Sequence, residues 1–259
     1  MADGEPLLAT AASPHPDRPS AATRSDLSTS QRSEDAIDAA ALQKLLAWLS
    51  PAFPVGAYTY SHGLEWAIED GTVTSADALA AWLADVLAHG AGRNDAILFA
   101  AAYRSGGAAL RELAELGAAF QPSKERHLET TAQGRAFLTA VAAAWPNARL
   151  AAAEAALAGA DVPYPVAVAA AAAAHDVPLT MALTATLSAF VANIVSAGVR
   201  AIPIGQNAGQ RVVAAMQAHV SQTVAATAHL TPDDLGGATF RTDIASMKHE
   251  TQYTRLFRS

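Results

Sequence analysis

Side chains that could do chemistry concentrate in residues 50–65, which read SPAFPVGAYTYSHGLE. Tyr58 and His62 stand here near two prolines that fix φ and near Gly56, which permits a positive φ. The spacing therefore predicts a shaped turn between two helices. Flat side chains with one polar end suit a recognition surface. They suit a local hydrophobic core equally well, and both interpretations stay open at this point.

The same sequence shows no arrangement of residues that is typical of a catalytic site. Without cysteine there is neither a thiolate metal site nor a cysteine nucleophile. The eight histidines are scattered, none of them in a helical i, i+4 pair, and no Gly-x-Ser-x-Gly elbow is present. Gly205 and Gly209 lack the lysine that a phosphate-binding loop needs. We therefore predict no enzyme activity, no cofactor and no metal ligand, and we interpret His62 and His249 as hydrogen-bonded surface residues.

The end of the chain, from Ile244 onward, differs from the rest in charge. The protein carries a formal net charge of −7, whereas Glu250 is the single acid of this stretch. Arginine can bind a carboxylate through two parallel hydrogen bonds, and aromatic rings add buried area at an interface. A segment of this kind suits protein recognition, while a chain end is ordinarily unstructured and solvated. The side chains concerned are Lys248, Arg255, Arg258, Tyr253 and Phe257.

Both stretches resemble the urease accessory protein F (UreF) family. Residues 50–65 are similar to its signature, and SMKHE at residues 246–250 with YTRLFRS at residues 253–259 is similar to its C-terminus. The resemblance covers residues 42–259. It implies a dimeric, cytoplasmic metallochaperone scaffold without catalysis of its own. Such a scaffold joins the accessory protein UreD to the GTPase UreG in the complex that delivers nickel to apo-urease.

The resemblance also implies which residues bind partners. The turn and the C-terminal stretch are implicated in recruiting UreG, a role that falls on Tyr58 and Arg255. The alternative is regulation of UreG, in which Arg255 or Arg258 acts as an arginine finger and raises GTP turnover about 10³-fold or more. The predicted partner-binding residues in the two matched motifs are Tyr58, His62, Glu65, His249, Glu250, Arg255, Phe257 and Arg258.

Composition favours an all-α fold and excludes several classes of protein. Hydrophobic residues make up 51% of the 259 residues, aromatic residues 6% and charged residues 16%. Together with long alanine runs, these values favour closely packed helices. The acidic chain lacks the surplus of lysine and arginine that nucleic-acid binding needs. The first residues show no basic segment followed by an apolar core, so we expect no secretory signal.

Hydrophobic periodicity predicts a single-domain helical bundle of roughly ten helices over residues 36–245. Residues 1–35 contain hardly any large apolar side chain, so they are predicted to form a disordered tail. Residues 246–259 are predicted to be a C-terminal partner-binding tail. The bundle is predicted to surround a buried apolar helix at about residues 179–198.

The predicted central helix requires a decision between a protein core and a membrane. Residues 177–199 carry no charge and are long enough to cross a bilayer. A polar stripe that includes Thr180 and Ser188 favours a soluble core helix instead. This interpretation places Leu187 and Phe190 in the core.

Two helix starts are marked by their residues. Ser123 is the predicted N-cap of a long helix that Trp145 and Pro146 close. Thr231 is the predicted N-cap of another helix, because Pro232 and two acids follow it. Of the two, the start at Thr231 has the clearer signals.

Overall fold

The computed structural model describes Met1 and residues 38–259. The predicted disordered tail, residues 1–35, lies outside the described residues except for Met1. The described residues form α-helices and short 3₁₀ turns with no strand, which confirms the all-α prediction. The helices are α1 (Ala39–Trp48), α2 (Leu64–Glu69), α3 (Ala76–His89), α4 (Ala91–Tyr103), α5 (Gly107–Ala119), α6 (Lys124–Ala144), α7 (Ala148–Leu157), α8 (Tyr164–Ala174), α9 (Leu179–Ala201), α10 (Gly205–Thr227) and α11 (Phe240–His249).

Side-chain caps explain where three helices begin. The side chains of Ser75, Ser123 and Asn147 each accept a hydrogen bond from the backbone N–H three residues later, at 3.2, 3.2 and 2.8 Å. Each bond satisfies one N–H group that has no partner within the helix. The predicted N-cap at Ser123 is thus confirmed, and α6 ends before Trp145 as expected.

The prediction that a helix starts at Thr231 is wrong about the length of the element. Thr231 does form a capping box with Asp234, but only a 3₁₀ turn, Pro232–Asp234, follows it. The next N–H groups find partners outside the turn. Gly236 donates to the side-chain oxygen of Asn94 at 3.1 Å, and Ala238 donates to the carbonyl of His89 at 2.9 Å. Bonds to α3 and α4 replace the bonds that would extend a helix.

Helix α8 is buried along most of its length. Its residues 165–172 are all buried, and their small side chains let α4 and α6 approach closely. The approach continues just before α8, where a Cβ on Gly134 of α6 would overlap the carbonyl oxygen of Val162. This contact with rigid backbone requires glycine at position 134. The alanine-rich composition is therefore explained by close packing of the helices, which only small side chains permit.

Helix α9, predicted to be central, is buried on one face only. Leu183, Leu187 and Val191 are buried against the core, while Thr180 and Ser188 are exposed. The helix passes a length and composition test for a membrane span, but half of its most apolar window is buried inside the protein. Phe190 is only partly buried, so its assignment to the core is wrong. Its ring instead lies 4.8 Å from that of His62 at the wall of a cavity.

Candidate partner-binding site

The turn predicted at residues 50–65 is present and lies against the last helix. Gly56 has φ of +73°, and a 3₁₀ turn, Ala57–Thr59, follows it. His62 and Gly63 then take φ values of +58° and +75° before α2 begins. A Cβ on Gly63 would lie 2.6 Å from the backbone nitrogen of Ser246 in α11. Glycine at position 63 therefore permits the contact between the turn and α11.

The C-terminal residues fold back onto the same turn. The N–H of Arg258 donates to the carbonyl of Thr59 at 2.8 Å. Ser61 donates from its N–H and from its hydroxyl to the carbonyl of Ser259, at 2.7 and 2.5 Å. The side chain of Phe257 is buried. The stretch is therefore ordered, and the two motifs that are far apart in sequence form one unit.

A buried carboxylate holds the two stretches together. The Oε1 atom of Glu65 accepts from the N–H of Leu256 at 2.6 Å, and Oε2 accepts from the N–H of Phe257 at 2.9 Å. Oε2 also lies 3.1 Å from Nε2 of His249. Hydrogen bonds to an ionised acceptor are stronger than neutral ones. One side chain of α2 thus fixes both the tail and the last helix.

The network continues from His249 to the surface. Nδ1 of His249 lies 2.6 Å from Oε2 of Glu125, and Oε1 of Glu125 accepts from Nη1 of Arg255 at 2.7 Å. His249 is fully buried, whereas the side chain of Arg255 is 39% exposed. The interpretation of His249 as a surface residue is therefore wrong, because carboxylates enclose both ring nitrogens. We call Glu65, Glu125, His249, Arg255 and the backbone of residues 256–257 the turn–tail junction.

The Glu65→Gln variant is expected to release the tail. The amide NH₂ that replaces one carboxylate oxygen would face a backbone N–H donor, and breaking a buried charged network costs about 3 kcal/mol. Hydrogen exchange should show loss of protection at the amides of Leu256 and Phe257. The control is Glu112→Gln, which makes the same change at an exposed position of α5. Unchanged protection at both tail amides would contradict the role given to Glu65.

A second cluster, of His62, Arg126 and Glu129, lies beneath the turn. Nδ1 of His62 is 2.7 Å from Oε1 of Glu129 and 2.7 Å from Nη1 of Arg126. Arg126 also pairs with Oε2 of Glu129 at 2.5 Å, and the hydroxyl of Ser259 donates to that oxygen at 2.6 Å. Burial, and then the charge of Arg126, lower the pKa of His62. Its neutral ring can donate to Glu129 or accept from Arg126.

The carboxylate of Glu129 makes folding stability depend on pH. Burial alone would raise its pKa, but Arg126, His62 and the hydroxyl of Ser259 together lower it from 4.5 to about 2. Because the folded pKa is depressed, this stabilisation is present above pH 4.5 and is lost as the pH falls toward 2. Between pH 4.5 and 3.5, the wild type should lose about 1 kcal/mol more than Glu129→Gln. Urea unfolding at both pH values measures this, and equal losses would contradict it.

An unpredicted residue, Arg200, joins the turn to the tail from α9. Its guanidinium carbon lies 3.7 Å from the ring centroid of Tyr58 and 4.4 Å from that of Phe257. Its Nη2 also donates to the carbonyl of Tyr58 at 2.8 Å. Contacts of this kind are stabilising because the ring faces attract cations. The available signal in the sequence was a lone arginine directly after the uncharged stretch 177–199.

The predicted site residues divide into anchors and exposed groups. Glu65, His249 and Phe257 are buried anchors, while Tyr58, Arg255 and Arg258 are exposed. Two members belong to neither group. Glu250 caps the start of α6 by accepting from the N–H of Lys124 at 2.8 Å, and His62 has only 14% of its side chain exposed.

The sequence interpretation missed the partners on α6. Glu125, Arg126 and Glu129 belong to a run of charged residues, KERHLE at 124–129, of the kind that ordinarily forms a solvated helix face. In the structure, Arg126 and Glu129 are buried beneath the turn. Their i, i+3 spacing is a signal of pairing. It does not reveal which side of the helix is covered.

Among the described residues, no group of three or more histidine, aspartate or glutamate side chains is arranged to hold a metal ion. The two histidines of the site face carboxylates that are already occupied by backbone N–H groups or by arginine. What the arrangement can do is order two peptide segments and present their outer side chains.

Comparison with known proteins identifies the family. The family model described as UreF matches residues 73–217, which is more than half of the chain. The chain belongs to the UreF family. The matched range contains neither the turn at residues 50–65 nor the tail, so membership does not depend on the two motifs that suggested it.

Individual UreF relatives extend the similarity over most of the chain. A urease accessory protein UreF of Rhodopseudomonas palustris (strain BisB18) is 54% identical over 242 residues, covering 90% of this chain and all of the relative. One from Xanthobacter autotrophicus is 54% identical over 222 residues, covering 84% of this chain and 91% of the relative. A third, from Bradyrhizobium diazoefficiens, is 51% identical over 226 residues, covering 86% of this chain and 93% of the relative.

Proposed function

We propose that this UreF-family protein is a cytoplasmic, homodimeric scaffold in urease maturation. It joins UreD to UreG in the complex that inserts nickel into apo-urease, and it has no catalytic activity of its own. The names of its relatives, urease accessory proteins, support the general role. The observation that carries the specific role is the turn–tail junction, which makes one surface from two motifs implicated in recruiting UreG.

The exposed side chains of this unit suit protein recognition. Tyr58 is 62% exposed, Tyr253 is fully exposed and Leu256 is 71% exposed. Tyrosine and arginine are enriched among the residues that dominate binding energy at interfaces. Because hydrogen bonds already hold the backbone of both segments, binding a partner would have to order only the exposed side chains.

A second exposed area lies on the helix that leads into the tail. Phe240, Ile244 and Met247 are spaced four and three residues apart in α11, so they share one face, and each is at least 49% exposed. Stable interfaces are more apolar than transient ones. A scaffold that holds two partners needs two surfaces, and an apolar face next to a charged one supplies them.

The pairing of Arg255 argues against this residue as the arginine finger of the alternative, GTPase activation. Its guanidinium is held by Glu125 at 2.7 Å. An arginine finger must reach another protein's nucleotide, which would require this bond to break. We therefore expect Arg255 to add far less to GTP turnover by UreG than the roughly 10³-fold that a finger supplies.

Size-exclusion chromatography of the purified chain with UreD, and then with UreD and UreG, tests the proposed function. We expect co-elution with UreD alone and a ternary complex once UreG is added. GTP hydrolysis assayed on the same fractions separates docking from activation. Failure to co-elute with UreD would contradict the scaffold role.

A further inference from the structure

A cavity of about 230 Å³ opens between the turn, α1, α4, α6 and α9. Its walls are mostly apolar, a property that is typical of small-molecule sites. The volume exceeds that of an engineered apolar cavity of about 150 Å³ that binds benzene. The principal apolar side chains are Trp48, Phe53, Phe99, Leu183, Leu187 and Phe190.

The charges that line this cavity do not balance. Arg126 and Glu129 pair with each other at 2.5 Å and are almost fully buried. His62 faces both of them, and its unprotonated ring adds no charge to the cavity. Asp95, on α4, also lines the cavity, and its carboxylate has no hydrogen bond or ion pair within the described part of the chain. With Asp95 ionised, the cavity carries one uncompensated negative charge.

Asp95 is partly buried, and a carboxylate in mostly apolar surroundings is destabilised because it has lost part of its hydration without gaining a hydrogen-bond partner. Burial raises the pKa of Asp95 to about 6. The positive charge of Arg126 opposes this rise, and the negative charge of Glu129 adds to it. Asp95 is therefore largely ionised at pH 7 and largely neutral at pH 5. A bound cation would offset the cost of burying its charge.

We propose that this cavity binds an organic monocation with an apolar body, a primary ammonium or a guanidinium on an aliphatic or aromatic frame, with Asp95 as its counterion. The apolar walls hold the body of the ligand. An anion is disfavoured because Arg126, the only cationic side chain among the described residues that line the cavity, is already paired with Glu129. A neutral ligand of the same shape would leave the carboxylate without a partner.

Calorimetric titration of the isolated protein with 2-phenylethylammonium, and with the neutral isostere 2-phenylethanol, tests the proposal. We expect the ammonium to bind at least tenfold more tightly than the alcohol at pH 7. The Asp95→Asn variant should lose this preference, whereas Asp85→Asn, which makes the same change at an exposed position of α3, should keep it. Affinity of the wild type for the ammonium should fall between pH 7 and pH 5, a measurement that needs no variant.

Three results would overturn the proposal: no binding of the ammonium, equal affinity for the alcohol, or an affinity that does not change with pH. The cation could be a free amine or a basic side chain of a bound protein, and a second titration distinguishes them. If the complex with UreD still binds the probe, the ligand is a free amine. If the complex excludes the probe and Asp95→Asn weakens UreD binding, a partner side chain occupies the cavity. Only this last titration rests on the proposed function.

Discussion

Replacing Gly63 with alanine is expected to separate the turn from α11 and to lower the free energy of unfolding by about 3 kcal/mol or more. A φ of +75° costs a non-glycine residue about 1–2 kcal/mol by itself. The added Cβ would also lie 2.6 Å from the backbone nitrogen of Ser246 and 2.8 Å from its Cα. Backbone atoms of a helix cannot rotate away, so α11 must shift, and the tail that follows α11 shifts with it.

The matched control for Gly63→Ala is Gly71→Ala. Gly71 has φ of +81°, but a Cβ added there would have no atom within 4 Å, so this variant measures the cost of φ alone. Urea unfolding should show a loss of about 1–2 kcal/mol for Gly71→Ala and a clearly larger loss for Gly63→Ala. Only Gly63→Ala should also expose the tail amides to hydrogen exchange. Equal losses in the two variants would show that the contact with Ser246 is not a tight one.

Local signals in the sequence predicted much of the fold. The cap at Ser123 acts within one helical turn, so its residue type is sufficient to place the start of α6. The start at Thr231 failed because the bonds that decide it come from Asn94 and His89, more than a hundred residues away. Such partners leave no trace in local spacing.

The candidate site was predicted only in part, because its partners, like those of Thr231, are distant in sequence. The two motifs at residues 50–65 and 246–259 identified the segments, but not that Glu65 binds the backbone of Leu256 and Phe257. Backbone N–H groups are present at nearly every residue, so no residue type marks them as partners. The burial of His249 was missed for a different reason: it depends on carboxylates from α2 and α6, which meet only in the folded chain.

Replacing Arg255 with alanine is expected to weaken recruitment of UreG about 30-fold or more, the usual effect of removing a dominant interface residue. One Nη of Arg255 is held by Glu125, which leaves its other N–H groups for a carboxylate of the partner. Arg255→Lys should give an intermediate loss because lysine lacks the planar fork. Folding should persist in both variants, since the side chain is 39% exposed.

Tyr58→Ala is expected to act in the same direction as Arg255→Ala. Tyr58 is 62% exposed, and Arg200 connects its ring to that of Phe257 in the tail. Removing the ring therefore takes away contact area and loosens one link between the turn and the tail. If the two segments form one recognition surface, losses in the double variant should differ from the sum of the single losses.

The most direct test of the account is capture of UreG by the immobilised complex of this protein with UreD, at one fixed salt concentration. Wild type should be compared with Arg255→Ala and with Arg241→Ala, which removes the same charge from an exposed position of α11. We predict that Arg255→Ala retains UreD and loses UreG, while Arg241→Ala retains both. Undiminished capture of UreG by Arg255→Ala would contradict the account, and so would loss of UreD, because the tail would then support the scaffold and not the recruitment.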